Sequence, residues 1–214
     1  MSGILYSSQI KYLKKFKKEN DLLIVQMEDY AKKNEIPILA WNSAAFLEQL
    51  IQISQPKHVL ELGTAIAYST IRIARNLGKN SIIDTIEKSK DNFKQATKNV
   101  NKSGYGKKIN LLFGDALNIM PKLKNKYDFI FLDADKEDYN KLFNYSIILL
   151  KKDGILFVDN LLWHGYAAVS RVPPAQKILT NNIREFNKIF TSHPNLNATI
   201  LPIGDGIGLG VKLQ

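Results

Sequence analysis

Tyr127-Asp128-Phe129-Ile130-Phe131-Leu132-Asp133-Ala134-Asp135-Lys136 is a short apolar run that ends abruptly in charge. It is too short, and too closely bounded by turn residues, to be a helix, and it reads as a buried strand. A second run of the same kind is Gly154-Ile155-Leu156-Phe157-Val158-Asp159-Asn160. In an open α/β sheet, ligands sit beyond the carboxyl ends of the parallel strands. Asp133, Asp135, Asp159 and Asn160 therefore fall where a ligand would bind. Hard oxygen donors on neighbouring strand ends suit Mg²⁺ or Ca²⁺ better than zinc. The chain has no cysteine, so a thiolate site is excluded.

Outward from these runs, strands alternate with helices. The pattern predicts strands over 58–62, 81–86, 110–113, 127–132 and 155–158, with helices near 68–77, 90–102, 117–122 and 138–150. Such alternation predicts a mostly parallel sheet with helices on both faces. A helix near 175–190 is followed by apolar runs at 198–203 and 207–213, joined by Gly204-Asp205-Gly206. That is a hairpin signal, so a seven-stranded sheet ending in an antiparallel pair is expected. Upstream, Leu22, Leu23, Val25, Met27 and Tyr30 form one amphipathic stretch, and Phe46, Leu47, Leu50, Ile51 and Ile53 form another. Between them Ile36-Pro37-Ile38-Leu39 breaks the helix. The expected organisation is one domain over 1–214, with a helical N-terminal segment to 54 and an α/β core over 56–214.

A length of 214 residues suits one domain with a substantial core, and 45% apolar residues is ordinary for a globular chain. No run is long enough to span a bilayer, and no signal-peptide pattern opens the chain. With no disulfide available, a cytoplasmic address and no membrane partner are expected. The formal charge of +10 invites a polyanion. The basic run Lys11, Lys14, Lys15, Lys17 and Lys18, with Lys107, Lys108, Lys122, Lys124 and Lys126, either tracks phosphates or forms a solvated surface. Lysine greatly outnumbers arginine, and Asn and Ile are abundant, so a nucleotide bias in the genome is the alternative source of the charge.

Val59-Leu60-Glu61-Leu62-Gly63-Thr64-Ala65-Ile66-Ala67-Tyr68-Ser69 reads as strand, tight turn and helix start. Gly63 allows close backbone approach to a ligand. Ser69 can present its hydroxyl beside the free amides of the first helical turn. Glu87 ends the next strand, where a carboxylate can accept both ribose hydroxyls of a nucleotide. Gly114-Asp115-Ala116 ends the third, where adenine would lie. The glycines that cradle a pyrophosphate are missing, so a NAD site is disfavoured. A ligand with adenine, ribose and an amino-acid tail fits instead, and S-adenosylmethionine is one. Glu61 and Gly63 read either as part of that site or as a plain βα turn.

These motifs resemble the metal-dependent S-adenosylmethionine O-methyltransferases of the catechol and caffeoyl-CoA type. The resemblance rests on Glu61-Leu62-Gly63-Thr64, Tyr68-Ser69, Glu87, Asp133-Ala134-Asp135-Lys136, Asp159-Asn160 with Leu162-Trp163-His164-Gly165, and Leu201-Pro202-Ile203-Gly204-Asp205-Gly206. It implies a single-domain Rossmann-like methyltransferase fold and a homodimer. It implies Asp133, Asp159 and Asn160 as ligands of Mg²⁺ or another divalent cation. Leu39, Glu61, Gly63, Ser69, Glu87, Asp115, Ala116 and Asp133 would bind the cofactor. Asp133 and Lys136 would be catalytic. Tyr30-Ala31, Ile36-Pro37-Ile38, Gly63-Thr64-Ala65-Ile66, Ile71-Arg72 and His193-Pro194 extend the likeness to bacterial tRNA 5-hydroxyuridine methyltransferases. Many members carry Gly where this chain has Ala67, whose methyl group is expected to narrow the cofactor pocket or shift the helix start.

Methyl transfer from a sulfonium is an in-line displacement that needs an oxygen anion held in line. A divalent cation lowers the pKa of a bound hydroxyl and fixes its direction. Catechols chelate it with two vicinal oxygens, and 5-hydroxyuridine does so with its 5-hydroxyl and 4-carbonyl. The metal site alone does not choose between a tRNA and a small catechol-like or acyl-CoA-linked phenol. Lys136 is expected to have a depressed pKa beside the metal and to act as base, or else to pair with Glu137 or Asp138. Asp135 supports the site or caps a helix. His164 is a wall residue or a catalyst, and His58 and His193 are structural. Trp163 and Tyr166 stack on a flat substrate or pack in the core.

Overall fold

The run at 127–132 is apolar almost throughout because its strand is covered on both faces. The computed structural model describes residues 7–214; residues 1–6 of the expected N-terminal segment lie outside them. Five parallel strands, β1 (His58–Leu62), β2 (Ile82–Glu87), β3 (Ile109–Phe113), β4 (Tyr127–Leu132) and β5 (Leu150–Val158), are followed by β6 (Leu196–Leu201) and β7 (Ile207–Lys212). The seven strands lie in the order β3-β2-β1-β4-β5-β7-β6. β7 runs antiparallel to β5, and β6 antiparallel to β7.

Alternate residues of β4 serve opposite layers. Phe129 and Phe131 pack with Phe157 against one helical layer, formed by α2 (Leu22–Lys33), α3 (Trp41–Ser54), α4 (Tyr68–Asn76) and α5 (Lys90–Ser103). Ile130 and Leu132 pack against the other, which includes α7 (Tyr139–Leu149) and α8 (Lys177–Ser192). All three phenylalanines are fully buried, and burying each contributes about 1.5–3 kcal/mol. The N-terminal helices thus join the core of the sheet, since Ile24, Met27, Leu47 and Ile51 all lie in its first layer.

Polar contacts fix the entry to that layer. Asp21 caps α2 by accepting from the Leu23 and Ile24 amides. Buried Arg72 reaches Glu48 at 2.8 Å, and Arg75 reaches Glu19 at 2.9 Å. These pairs hold the segment before α2 and the helix α3 onto α4. Arg72 therefore has a structural role, beyond being a point of family likeness. The basic run begins in α1 (Ser7–Lys14), and Lys17 pairs with Glu28.

Most expected elements appear within a few residues of their predicted ends. β5 is the exception, starting five residues before the expected 155. Lys151-Lys152-Asp153-Gly154 reads as a turn, and Asp153 does adopt left-handed backbone at φ 61°. The chain nonetheless runs from α7 straight into the strand, with a register irregularity opposite 127–129. The expected helix at 117–122 is split into α6 (Ala116–Ile119) and a 3₁₀ turn over Met120–Lys122, because Pro121 has no amide to continue it. Among the described residues, no helix is long and apolar enough to cross a membrane.

The strand order reverses beside β1, between β2 on one side and β4 on the other. Crevices form at such points. Here it opens over Gly63 and Asp133, the residues that follow the paired Leu62 and Leu132.

Candidate active site

A cleft of about 700 Å³ opens over the carboxyl ends of β1, β2, β3, β4 and β5. Its walls include Gly63, Glu87, Asp115, Ala116, Asp133, Lys136, Asp159 and Asn160. At one end lie Gly63, Glu87, Asp115 and Ala116. Glu87 Oε2 accepts the Ala65 amide at 2.8 Å, and its Oε1 accepts the Ser89 amide at 2.7 Å. Each oxygen is aimed by one backbone donor and keeps lone-pair capacity for a further donor. Asp115 caps α6 through the Leu117 amide at 2.8 Å. Gly63 has φ 101°, and a Cβ there would stand 2.1 Å from the Asp133 carbonyl oxygen. Glycine is thus demanded by the adjoining strand end as well as by the cleft.

At the other end, Asp133, Asp159 and Asn160 converge from β4 and β5. Asp159 is 5% exposed, and its Oδ1 has no hydrogen-bond partner. Burial pushes its carboxyl up to about 7, with repulsion from Asp133 as the next cause. An orphaned buried acceptor facing a second carboxylate fits a divalent cation with hard oxygen ligands. Asn160 adds a neutral amide oxygen. Among the described residues there is no group of three or more His, Cys, Asp or Glu side chains able to hold a metal. The set here has two carboxylates and one amide.

Lys136 Nζ donates to Asp133 Oδ1 at 2.9 Å, to the Tyr139 hydroxyl at 2.6 Å and to the Ala134 carbonyl at 3.1 Å. Burial alone would lower its pKa. Tyr139 and Asp133 more than offset that, and its proton is held more tightly than in water. This direction, set by the protein's own groups, is opposite to the one expected beside a bound cation. The neighbours that decide it are a phenol and a carboxylate.

The sequence matches the O-methyltransferase family model over residues 14–213. The chain belongs to the O-methyltransferase family. It is an enzyme, an O-methyltransferase. The methyltransferase is 31% identical over 200 residues to a catechol O-methyltransferase of Niastella koreensis, covering 91% of this chain and 86% of that one. It is 30% identical over 177 residues to a caffeoyl-CoA O-methyltransferase of Eucalyptus gunnii, covering 79% of this chain and 71% of the relative. Its fold matches the O-methyltransferase TomG of Streptomyces achromogenes, solved with S-adenosylmethionine, at a TM-score of 0.86. That match has 22% identity and covers 100% of both chains.

Three expected cofactor residues of the methyltransferase lie off the cleft wall. Leu39 is 5% exposed and packs in the core, while its neighbours Pro37 and Ile38 face the cleft. Leu39 turns into the core just after these two residues, a direction that the sequence does not fix. Glu61 is fully buried beneath the turn, where it accepts from Ser69 Oγ at 2.5 Å, from Thr85 Oγ1 at 2.6 Å and from Thr70 Oγ1. Ser69 is accordingly turned inward, away from the cleft. Both residues brace the βα turn that carries Gly63. Ala67 sits at φ 67° immediately before α4 and is buried in the core. Left-handed backbone explains why glycine suits this position, and the methyl group does not narrow the cleft.

Asp135 lines the cleft mouth and pairs with Lys88. Trp163 and His164 line the far wall, whereas Tyr166 lies off it. The sequence does not single out Tyr139 or Leu179, and it shows Asp205 only as a hairpin residue of a shared motif. Tyr139 holds Lys136 and donates to the Asp159 carbonyl at 3.1 Å. Leu179 lines the cleft from α8. The spacing Lys136-x-x-Tyr139 is the one available signal for the first of these.

Glu61 yields a pH prediction. Burial, the largest cause, pushes its carboxyl up to about 7, against the lowering effect of Ser69, Thr70 and Thr85. In the unfolded chain it titrates near the ordinary 4.5. Between those values the native state binds the extra proton, so stability falls as pH rises. Glu61→Gln should therefore gain on wild type by roughly 2 kcal/mol between pH 5 and pH 7.5. Urea midpoints across that range measure it, and parallel profiles for the two proteins would refute the buried carboxyl.

Proposed function

We propose that this methyltransferase moves the methyl group of S-adenosylmethionine onto a ring hydroxyl with a second oxygen beside it, the hydroxyl proton passing to solvent and S-adenosylhomocysteine leaving as the thioether. Both oxygens would meet a divalent cation, Mg²⁺ in the first instance, on Asp133, Asp159 and Asn160. The single observation carrying this reading is the buried, unpartnered Asp159 Oδ1 beside Asp133. When bound, the cation supplies the charge that lowers the hydroxyl pKa and fixes its direction. Glu87 holds the ribose, and Asp115 and Ala116 border the adenine. Gly63 leaves room for the amino-acid tail. Lys136 keeps Asp133 aimed and, as an ammonium, stabilises the oxyanion during transfer. Trp163 and His164 form the wall that a planar acceptor lies against.

For the acceptor, we place 5-hydroxyuridine in tRNA first, giving 5-methoxyuridine. The net charge of +10 and the residues likened above to the tRNA enzymes support it. Small catechol-like or coenzyme A-linked phenols are the second reading, favoured by the names of the curated relatives. A homodimer belongs to the same proposal, and sedimentation velocity tests it.

The test offers both acceptors to one preparation with labelled cofactor and Mg²⁺, followed by nucleoside mass spectrometry. Labelled methyl on 5-hydroxyuridine is expected, with binding that weakens steeply as salt rises. Reversing the charges of exposed Lys14, Lys15 and Lys18 should raise KM for tRNA and leave catechol turnover unchanged. Lys17 is omitted because it pairs with Glu28. Efficient catechol methylation with inert tRNA would establish the second reading in place of the first.

A further inference from the structure

Asp205, at the tip of the β6–β7 hairpin, is absorbed by none of the roles above. Its carboxylate is partly buried and bridges two parts of the cleft wall. Oδ1 accepts the His164 backbone amide at 2.7 Å. Oδ2 accepts from Asn160 Nδ2 at 3.4 Å. The same hairpin tip receives the Leu161 and Leu162 amides, on the Gly206 and Asp205 carbonyls, each at 2.9 Å. The segment it braces is unusual. Asn160, Trp163 and His164 all have left-handed backbone, at φ 64°, 46° and 56°. Such conformations persist only where their surroundings over-determine them.

An asparagine side chain offers an oxygen on one side and a donor on the other. Only the oxygen can face a cation. A carboxylate, in contrast, can only accept. We propose that Asp205 is a positioning residue: by accepting from Asn160 Nδ2 it commits the amide oxygen to the cleft, and through the His164 amide it ties that orientation to the substrate wall. This rests on the metal reading for its consequence, but the amide orientation itself does not depend on it. Among the described residues, Asn160 Oδ1 makes no hydrogen bond and is left for the cleft.

Asp205→Asn makes the sharpest test, being nearly isosteric. If the substituted side chain keeps its oxygen on the His164 amide, its NH₂ faces Asn160. Asn160 must then turn its own oxygen away from the cleft. If the substituted side chain takes the opposite orientation, two donors meet at His164. A purely space-filling role predicts a benign change.

The side-chain amide resonances of Asn160, assigned by their loss in Asn160→Asp, are read in the metal-free protein. Mn²⁺ affinity is read by electron paramagnetic resonance, with S-adenosylhomocysteine affinity as the control. Asp205→Asn and Asp205→Ala should both shift the Asn160 amide and weaken Mn²⁺ binding by about tenfold or more. Cofactor-product affinity should stay within about twofold, which also reports a folded protein. Unchanged Mn²⁺ affinity would overturn the proposal. Weakened Mn²⁺ binding with an unmoved amide would overturn it too, leaving only the lost charge. Failure of wild type to bind Mn²⁺ would sink the metal reading, while the amide shift still judges the hold of Asp205 on Asn160.

Discussion

Asp159→Ala is expected to lower methyl transfer by about a thousandfold or more, equivalent to ~4 kcal/mol of transition-state stabilisation. Affinity for S-adenosylhomocysteine should stay within about twofold of wild type. Two observations set this split. Asp159 lies at the end of β5, while Glu87, which is proposed to hold the ribose, lies at the end of β2. β1 and β4 separate those strands in the sheet. The lost carboxylate also relieves repulsion with Asp133 and removes a buried charge, so the metal-free variant should be no less stable than wild type near pH 8. The sign follows from its raised pKa: at that pH the buried group is ionised at a cost. Initial rates, calorimetry with the cofactor product and a thermal midpoint check the three statements. A variant that loses cofactor affinity in step with turnover would show that Asp159 serves the cofactor end instead.

Glu87→Ala should have the converse signature. Two hydrogen bonds from ribose hydroxyls to a carboxylate contribute roughly 1.5–3 kcal/mol each, so cofactor affinity should fall about a hundredfold or more. Maximal turnover at saturating cofactor should fall much less, since Glu87 does not reach the reacting oxygen. Part of the loss comes from the Ala65 and Ser89 amides, which Glu87 now holds in place. Glu87→Gln keeps one acceptor oxygen and should retain an intermediate affinity. Calorimetry with S-adenosylhomocysteine decides it, and unchanged affinity in Glu87→Ala would remove this residue from the cofactor site.

What the sequence disclosed follows from how burial is written into it. A strand covered on both faces shows as a nearly continuous apolar run, so 127–132 marks the centre of the sheet and Asp133 its end. Glu87, Asp115, Asp133, Asp159 and Asn160 are legible because strand ends can be counted, and all of them do line one cleft. Side-chain direction is less legible. Glu61 and Ser69 have the chemistry of a ligand site, but they satisfy one another, with Thr70 and Thr85, inside the protein. No spacing rule reveals that closure, because it depends on Thr85 arriving from β2. Leu39 is as apolar as Ile38, and nothing in their residue types tells which of the two faces the cleft. The pKa of Lys136 is hidden for a similar reason. Its direction is set by Tyr139, one helical turn away, and by Asp133, whose contacts with the ammonium outweigh burial. Asp205 reads as the middle of a hairpin turn. Its contact with Asn160 spans 45 positions of chain and needs the antiparallel pairing of β5 with β7 to come within reach.

The central claim is that Asp133, Asp159 and Asn160 hold a divalent cation on which the acceptor is methylated. It is tested most directly by following methyl transfer in excess chelator and then titrating Mg²⁺ back. The account predicts no turnover with chelator, saturable recovery with Mg²⁺ in wild type, and no recovery in Asp159→Ala. Full turnover in excess chelator would contradict it.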